Sequence, residues 1–128
     1  MSAEAILGIG TDLVEIDRFR DVLERRGEQF QQRIFCEGER AYAYKANDPA
    51  PRLAARFAAK EAVMKALGVG LGAFGLAEVE VIKEESGAPV LLLHGRAAEL
   101  AADHGVSDWK ITLSHSERTA SAFVIALG

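Results

Sequence analysis

The chain has 128 residues, of which 49% are hydrophobic and 27% are charged, and its formal net charge is -4. This length and composition exclude an intrinsically disordered chain and predict one globular domain over residues 1–128. The balance of 15 basic against 19 acidic side chains argues against a general nucleic-acid-binding protein, because neutralising phosphates needs a basic surplus.

The cellular location is predicted from cysteine use and hydropathy. Cys36 is the single cysteine and cannot form an intrachain disulfide. The first residues lack a basic region followed by an apolar run, as an export signal would have. The most apolar stretch, residues 67–77, is roughly half as long as a membrane span and is interrupted by glycines. We therefore expect a cytoplasmic protein without a transmembrane segment.

The chain opens with a predicted strand and helix. Residues 6–11 form a short glycine-rich apolar run, which indicates a strand. The spacing then changes, with Ile16, Phe19 and Leu23 at i, i+3 and i+7, so a helix is predicted over residues 14–23. Asp12 is expected at the switch between the two elements.

Helical segments dominate the middle of the chain. Shorter helical pieces are predicted over residues 30–35 and 37–46, followed by a Pro-Ala-Pro break. The longest helix is predicted from Arg52 to Leu67, because this stretch is rich in alanine and Gly68 is well placed to end it.

The remainder predicts two strand pairs around one helix. Residues 79–81 and 90–93 alternate with period two across a turn, which indicates a hairpin. A helix over 96–104 and two alternating strands over 110–115 and 120–127 complete the chain. The order of elements predicts an α+β fold with a largely antiparallel sheet, packed against the long helix and shorter helices.

Three polar positions are candidates for chemistry, each with a simpler interpretation. Asp12 after a glycine-rich strand could hold a hard cation, or it could stabilise a helix N-terminus by about 0.3 to 1 kcal/mol. Glu61 and Lys65 are four residues apart and share a helix face, as a surface ion pair worth about 0.2 to 0.5 kcal/mol would. His115 ends a strand, and its spacing alone favours a hydrogen-bonded structural histidine over a catalytic one.

Two glycine-rich segments do not match known nucleotide-binding motifs. GIGTDLVEI lacks the third glycine of a dinucleotide fingerprint, and GVGLGAFG lacks the Gly-Lys-Ser/Thr ending of a P-loop. The second segment could bring its backbone close to a ligand or be a plain connector. The three histidines are scattered and Cys36 has no partner at ligand spacing, so a zinc site is not expected.

Three motifs taken together carry a family resemblance. GIGTDLVEIDRF near the start, RFAAKEAVMKALG in the middle and TLSHS near the end resemble the small, single-repeat 4'-phosphopantetheinyl transferases of the holo-acyl-carrier-protein synthase type. Their order and spacing agree over essentially the whole chain. The resemblance implies transfer of the 4'-phosphopantetheine arm of coenzyme A to a serine of apo-acyl carrier protein, leaving adenosine 3',5'-bisphosphate. The carrier would serve fatty-acid or polyketide synthesis.

The resemblance also implies a metal site. Asp12 and Glu61 match the carboxylates that would hold Mg²⁺, with Mn²⁺ as the alternative because it shares oxygen ligation. Lys65 would neutralise charge developing on the diphosphate or protonate the leaving phosphate. Either Glu61 or a metal-polarised water could accept the serine proton, so the general base stays open.

Contacts with coenzyme A follow from the same resemblance. Lys60, Gly68 and His115 are the candidate substrate-binding residues, although the Lys60 side chain could equally face away. The family commonly has a histidine at the position of Lys110. A lysine there could still bind phosphate as a point charge.

Carrier binding and assembly complete these expectations. Arg18 and Arg25 are seven residues apart on the first helix and match family positions that contact the acidic carrier, although a solvated helix face is the simpler interpretation. A chain of this size has little room for a deep cleft of its own. The resemblance implies a homotrimer with sites at subunit interfaces, where Asp12 and Glu61 come from one chain and other contacts from its neighbour.

Two other functions compete with this prediction. One is hydrolysis of the coenzyme A diphosphate, with water in place of the carrier serine. The other is a carrier-binding module without catalysis. The presence of Asp12, Glu61 and Lys65 together argues against such a module, because pure binding needs no metal carboxylates.

Overall fold

The computed structural model describes residues 5–128, in which five strands and four helices follow in the order predicted from the sequence. Their bounds are β1 (Ile6–Glu15), α1 (Ile16–Ile34), α2 (Glu37–Ala43), α3 (Ala50–Leu67), β2 (Val79–Lys83), β3 (Pro89–Leu93), α4 (Gly95–Asp103), β4 (Asp108–His115) and β5 (Thr119–Leu127). A 3₁₀ turn over Leu76–Glu78 precedes β2. The predicted α+β fold class is confirmed.

The strands form two antiparallel groups. A three-stranded sheet has the order β1-β5-β4, and β2 and β3 form the predicted hairpin. In the larger sheet Asp12 of β1 lies opposite Ala122 of β5, which lies opposite Leu113 of β4. Since β1 and β4 are the two outer strands, residues on them are separated by the width of β5.

Helix α3 packs directly on β1 because two glycines leave room for it. A Cβ atom added to Gly10 would lie 1.9 Å from the carbonyl oxygen of Ala62, and one added to Gly8 would lie 2.0 Å from that of Ala66. Any larger side chain would therefore push the helix away from the strand. The glycines of the GIG segment serve this close approach, and they bring α3 beside Asp12.

The boundary between β1 and α1 differs from the prediction. The strand continues to Glu15, because β5 pairs with it as far as Thr119. Helix α1 consequently begins at Ile16 rather than at Val14. Asp12 lies inside the strand and not at a strand-to-helix switch, so its simpler interpretation as a helix N-terminal residue is wrong.

The helices that follow are also bounded differently. α1 consists of two helical segments joined by a kink at Gly27, whose φ of 76° is not helical, so the separate helical piece predicted over 30–35 corresponds to the second segment, which ends at Ile34. α2 ends at Ala43 rather than at residue 46. α3 begins at Ala50 rather than at Arg52, and the Asp48 carboxylate accepts the Ala50 N–H at 3.1 Å.

The two faces of the three-stranded sheet differ in burial. The face toward α3 is part of the core, where Ala122 and Val124 of β5 are buried. The opposite face leaves large apolar side chains exposed: Ile9 is 60% exposed, Leu13 71% and Phe123 40%. Within residues 5–128, no helix is long and apolar enough to cross a membrane.

Candidate active site

Asp12, Glu61 and Lys65 lie together where α3 crosses β1. The Lys65 ammonium donates to the Thr11 carbonyl at 2.9 Å and lies 3.4 Å from the Asp12 carboxylate. The Asp12 side chain is 22% exposed and that of Lys65 is 57% exposed, so both are open to solvent. The structure thus joins two motifs that are about fifty residues apart in the sequence.

The electrostatics of this site centre on Glu61. Partial burial raises the pKa of the Glu61 carboxyl, and the negative charge of Asp12 raises it further, while Lys65 acts in the opposite direction. Two carboxylates are therefore held close enough to repel each other. A bound cation between them would relieve that repulsion.

The donor set fits Mg²⁺ bound together with a phosphate substrate. Asp12 and Glu61 offer only oxygen ligands, which hard divalent cations prefer. Mg²⁺ is usually held by one or two carboxylates, with substrate phosphates and water completing its coordination. Among the described residues, no group of three or more His, Cys, Asp or Glu side chains gathers as a metal cluster.

Lys60 does not belong to this site, which corrects its predicted role in binding coenzyme A. Its side chain is fully buried, and its ammonium lies 2.7 Å from the Glu39 carboxylate. It also donates to the carbonyl of Val79. Burial lowers the pKa of Lys60, while the Glu39 charge opposes that shift. A lysine enclosed in this way cannot reach a substrate phosphate.

A second polar region lies on the other side of α3. It is a cavity of about 310 Å³ between α3, the β2–β3 hairpin and the end of β4, and its lining includes the cations Arg52, Arg56 and Lys83 together with His115. Arg56 is 5% exposed, and its Nε atom has no hydrogen-bond partner. A buried guanidinium N–H without an acceptor is costly, so this cavity is suited to an anionic ligand.

Tyr42 organises the cations of this cavity. The guanidinium carbons of Arg52 and Arg56 lie 4.2 Å and 4.4 Å from its ring centre. Lys83 donates to its hydroxyl at 3.2 Å. Burial alone would raise the pKa of Tyr42, but the three nearby cations lower it. Clustered positive charge of this kind suits an anionic ligand such as a phosphate group.

The sequence analysis missed most of this cavity. Arg52 and Arg56 are four residues apart on α3 and Lys60 follows at the same interval, a spacing that places three cations on one helix face. The motif RFAAKEAVMKALG contains Arg56 and Lys60, and Arg52 lies four residues before it. Tyr42 and Lys83 gave no comparable signal, because only the tertiary fold brings them to α3.

The remaining substrate-binding candidates lie apart from one another. His115 is at the end of β4 and lines the cationic cavity, and within one chain β5 separates β4 from Asp12. Gly68 ends α3 as predicted, one helical turn beyond Lys65, and no atom lies within 4 Å of where its Cβ would be. A single chain therefore does not bring His115 to the carboxylates.

The two predicted carrier-binding arginines are exposed on the first part of α1. The Arg18 side chain is 86% exposed and has only a distant contact with Glu15 at 3.8 Å. Arg25 is also exposed. Phe19, next to Arg18, packs on Phe57 with ring centres 5.1 Å apart. Since Phe57 lies one helical turn before Glu61, α1 is held beside the carboxylates.

Sequence comparison defines the class of protein to which this fold and site belong. Residues 8–124 match the 4'-phosphopantetheinyl transferase superfamily. The holo-[acyl-carrier-protein] synthase of Gloeobacter violaceus is 47% identical over 122 residues, covering 94% of this chain and 92% of that protein. The chain belongs to the 4'-phosphopantetheinyl transferase superfamily, and within it to the holo-[acyl-carrier-protein] synthase family of enzymes.

Solved structures agree with this assignment. The holo-[acyl-carrier-protein] synthase of Neisseria meningitidis has a TM-score of 0.86 at 33% identity, covering 95% of this chain and 98% of that one. The Bacillus anthracis holo-(acyl-carrier-protein) synthase in complex with CoA (3',5'-ADP) has a TM-score of 0.80 at 31% identity, covering 98% and 99%. The resemblance predicted from the three motifs is confirmed.

Proposed function

We propose that this protein transfers 4'-phosphopantetheine from coenzyme A to a serine of apo-acyl carrier protein in a Mg²⁺-dependent reaction. The serine oxygen forms a bond to the phosphorus that carries pantetheine, and the diphosphate bond breaks to release adenosine 3',5'-bisphosphate. The serine proton leaves to a base, for which Glu61 is the candidate. The observation that carries the proposal is the pairing of Asp12 and Glu61 beside Lys65 in a chain of this family.

Asp12 and Glu61 are the residues that would hold Mg²⁺, which supplies positive charge to the diphosphate when bound. Lys65 places a second positive charge beside the one that Mg²⁺ would supply, and it is held in position by the Thr11 carbonyl and the Asp12 carboxylate. From there its ammonium neutralises charge that develops on the leaving phosphate. Because Lys65 remains largely exposed, it can also donate a proton to that oxygen.

The cationic cavity is the proposed site for the phosphates of coenzyme A. Arg56 supplies a buried N–H without an acceptor, half-buried Arg52 and exposed Lys83 add cationic donors, and exposed His115 lies at the same cavity. Lys110 is exposed on the face of β4 opposite to Leu113 and His115, 3.7 Å from Asp108, so it does not line this cavity. The cations of the cavity fit the phosphates of coenzyme A better than they fit a neutral ligand.

A homotrimer would complete the active site. Asp12 and His115 lie on the two outer strands of the sheet, so a neighbour must bring its β4 edge to the β1 edge of this chain. The exposed apolar side chains of Ile9, Leu13 and Phe123 provide a surface to bury in such contacts. We expect Phe123→Glu to dissociate the assembly and abolish transfer. A catalytically competent monomer in sedimentation at assay concentration would contradict the trimer.

The carrier is proposed to dock on the exposed face of α1 that bears Arg18 and Arg25. Acyl carrier proteins are acidic, so opposite charges would steer the encounter. Phe19 and Phe57 connect this face to the carboxylates, so a docked carrier would present its serine near Glu61.

A cytoplasmic location stays a prediction that rests on the use of a single cysteine.

The proposal is tested by the intact mass of apo-acyl carrier protein after incubation with this protein, coenzyme A and Mg²⁺. A mass gain of one phosphopantetheinyl group, lost in EDTA and restored by Mg²⁺, is the expected result. No gain with several apo-carriers and a folded oligomer would reject the transfer. Cleavage of coenzyme A without a carrier would instead identify a hydrolase, and carrier binding without either reaction would identify a binding module.

A further inference from the structure

The buried ion pair between Lys60 and Glu39 has no part in the proposed chemistry, yet it joins three elements. The Lys60 ammonium of α3 lies 2.7 Å from one Glu39 oxygen and also donates to the Val79 carbonyl at the start of β2. The same Glu39 oxygen accepts the Cys36 N–H at 3.1 Å, and the other accepts the Val81 N–H at 3.0 Å. α2, α3 and β2 are therefore cross-linked by directional bonds in the interior.

Stability alone does not explain this pair. Both side chains are fully buried, and removing two charges from water costs about as much as their attraction returns. Apolar residues of similar size usually stabilise a fold as well or better. The surroundings would accept them, since the Phe35 ring lies 5.4 Å from the Lys60 ammonium. An apolar pair would not fix how the two side chains are oriented relative to each other, whereas hydrogen bonds are directional and do so.

Direction matters here because the bond that α3 makes to β1 comes from the largely exposed Lys65 ammonium, which donates to the Thr11 carbonyl at 2.9 Å. There it packs through the small residues Ala62 and Ala66 against Gly10 and Gly8. That contact sets the distance between helix and strand, whereas the exposed Lys65 pair constrains rotation about the helix axis only weakly. Lys60 lies on the opposite wall of the helix, where its bonds to Glu39 and Val79 prevent that rotation.

The rotation of α3 controls both polar regions at once. Glu61 follows Lys60 directly and faces Asp12, whereas Arg56 lies one turn earlier and lines the cationic cavity. A helix advances 100° per residue, so any rotation moves both side chains together. Holding Lys60 in place thus holds a carboxylate on one side and a guanidinium on the other.

We propose that Lys60 and Glu39 are positioning residues whose buried ion pair fixes the rotation of α3, so that Glu61 meets Asp12 while Arg56 points into the cavity. This inference rests on the proposed function. Removing a residue that holds a metal ligand in place typically lowers metal affinity or activity by about 10- to 100-fold. We expect a loss of that size when the pair is removed.

The test separates positioning from stability with three variants. Lys60→Met and Glu39→Gln each remove one charge, and the double variant removes both with side chains of similar shape. Binding of Mn²⁺ in the presence of coenzyme A is followed by electron paramagnetic resonance, and kcat is measured at a temperature where every variant is folded by circular dichroism. Ala101→Gly, a destabilising change within α4, serves as the matched control.

The double variant decides the outcome, because it leaves no unpaired buried charge and is expected to fold. Weakened Mn²⁺ binding and a lower kcat in the double variant, with Ala101→Gly unchanged, support positioning. Wild-type Mn²⁺ affinity and kcat in the folded double variant would overturn it and leave the pair a purely structural feature. A rise in the coenzyme A KM for Lys60→Met alone, with Glu39→Gln at wild-type values, would also overturn it.

The wild-type protein tests the proposed function separately from the positioning proposal. Wild-type protein that neither binds Mn²⁺ with coenzyme A nor loads apo-carrier would reject the transferase proposal itself. The positioning proposal is judged only by the ratio of each variant to a wild-type protein that does both.

Discussion

The two polar sides of α3 carry neighbouring residues with opposite environments. Glu61 faces a partly open site where Asp12 repels it and Lys65 is exposed to solvent. Lys60, its neighbour in the chain, is fully buried and bonded to Glu39 and Val79. We call the Glu61 side the open side and the Lys60 side the closed side. On the open side two carboxylates repel each other, as in sites prepared for a ligand, whereas on the closed side the lysine charge is paired with a carboxylate.

This contrast shows how a short motif can combine two different tasks. In the Lys-Glu-Ala segment the glutamate is the candidate for chemistry, and the lysine holds the helix that carries it. Arg56 lies one turn earlier and shares features of both residues. It is buried like Lys60, but its Nε has no hydrogen-bond partner, as expected of a group that binds a ligand. Substitutions on the closed side are therefore expected to change mainly the free energy of unfolding, and those on the open side mainly the activity.

The largest expected effect is on stability, from the closed side. Lys60→Met should lower the free energy of unfolding by about 3 to 5 kcal/mol, because Glu39 is left as an unpaired buried charge. Lys65→Met on the open side should change it by less than about 1 kcal/mol, since exposed pairs contribute little. Urea unfolding of both variants measures the difference. Equal losses for the two lysines would remove the distinction between the sides.

The next effect is on activity, from the open side. Glu61→Gln should lower kcat by about 10²- to 10³-fold, as loss of one electrostatic group at a reacting centre typically does. Its free energy of unfolding should stay the same or rise, because repulsion from Asp12 is removed. Mass-spectrometric loading assays and urea unfolding give the two values. The matched control is Glu99→Gln on α4, and parallel losses of stability and activity in Glu61→Gln would contradict this assignment.

A third effect concerns thiol reactivity on the closed side. Burial raises the pKa of Cys36 from 9.0 to about 11; a hydrogen bond with Glu39 opposes this shift, while the charges of Glu39 and Glu80 add to it. At pH 8 the thiolate fraction, and with it alkylation by iodoacetamide, should be about 100-fold below that of a free cysteine. The rate should keep rising about tenfold per pH unit up to about pH 11. A rate that levels off near pH 9 would show an open environment.

The smallest effect is expected on α1. Replacing Arg18 and Arg25 with alanine should raise the carrier KM by roughly 2- to 10-fold at low salt, the range of one or two exposed charge pairs. The increase should disappear at high ionic strength, because screening removes the attraction from the wild type as well. Arg33→Ala, beyond the break at Gly27 on the same helix, is the control. A KM independent of salt in the wild type would exclude charge-guided docking there.

The sequence predicted the elements that depend on local interactions. α3 was placed within two residues of its bounds, since alanine-rich propensity and the glycine that ends it act over one or two turns. The β2–β3 hairpin followed from period-two alternation around a turn. The boundary at Glu15 was missed because β1 is extended by pairing with Thr119, a contact that no local pattern contains.

The candidate site divides in the same way. The amino-acid sequence by itself determined the family, the three motifs and the carboxylates Asp12 and Glu61, because residue type and order carry that information. Only the tertiary structure decided that Lys60 is enclosed with Glu39, twenty-one residues away, and that Tyr42 gathers Arg52 and Arg56 into a cavity. Burial and charge pairing depend on which distant segments meet, and a helix face alone does not specify its neighbours.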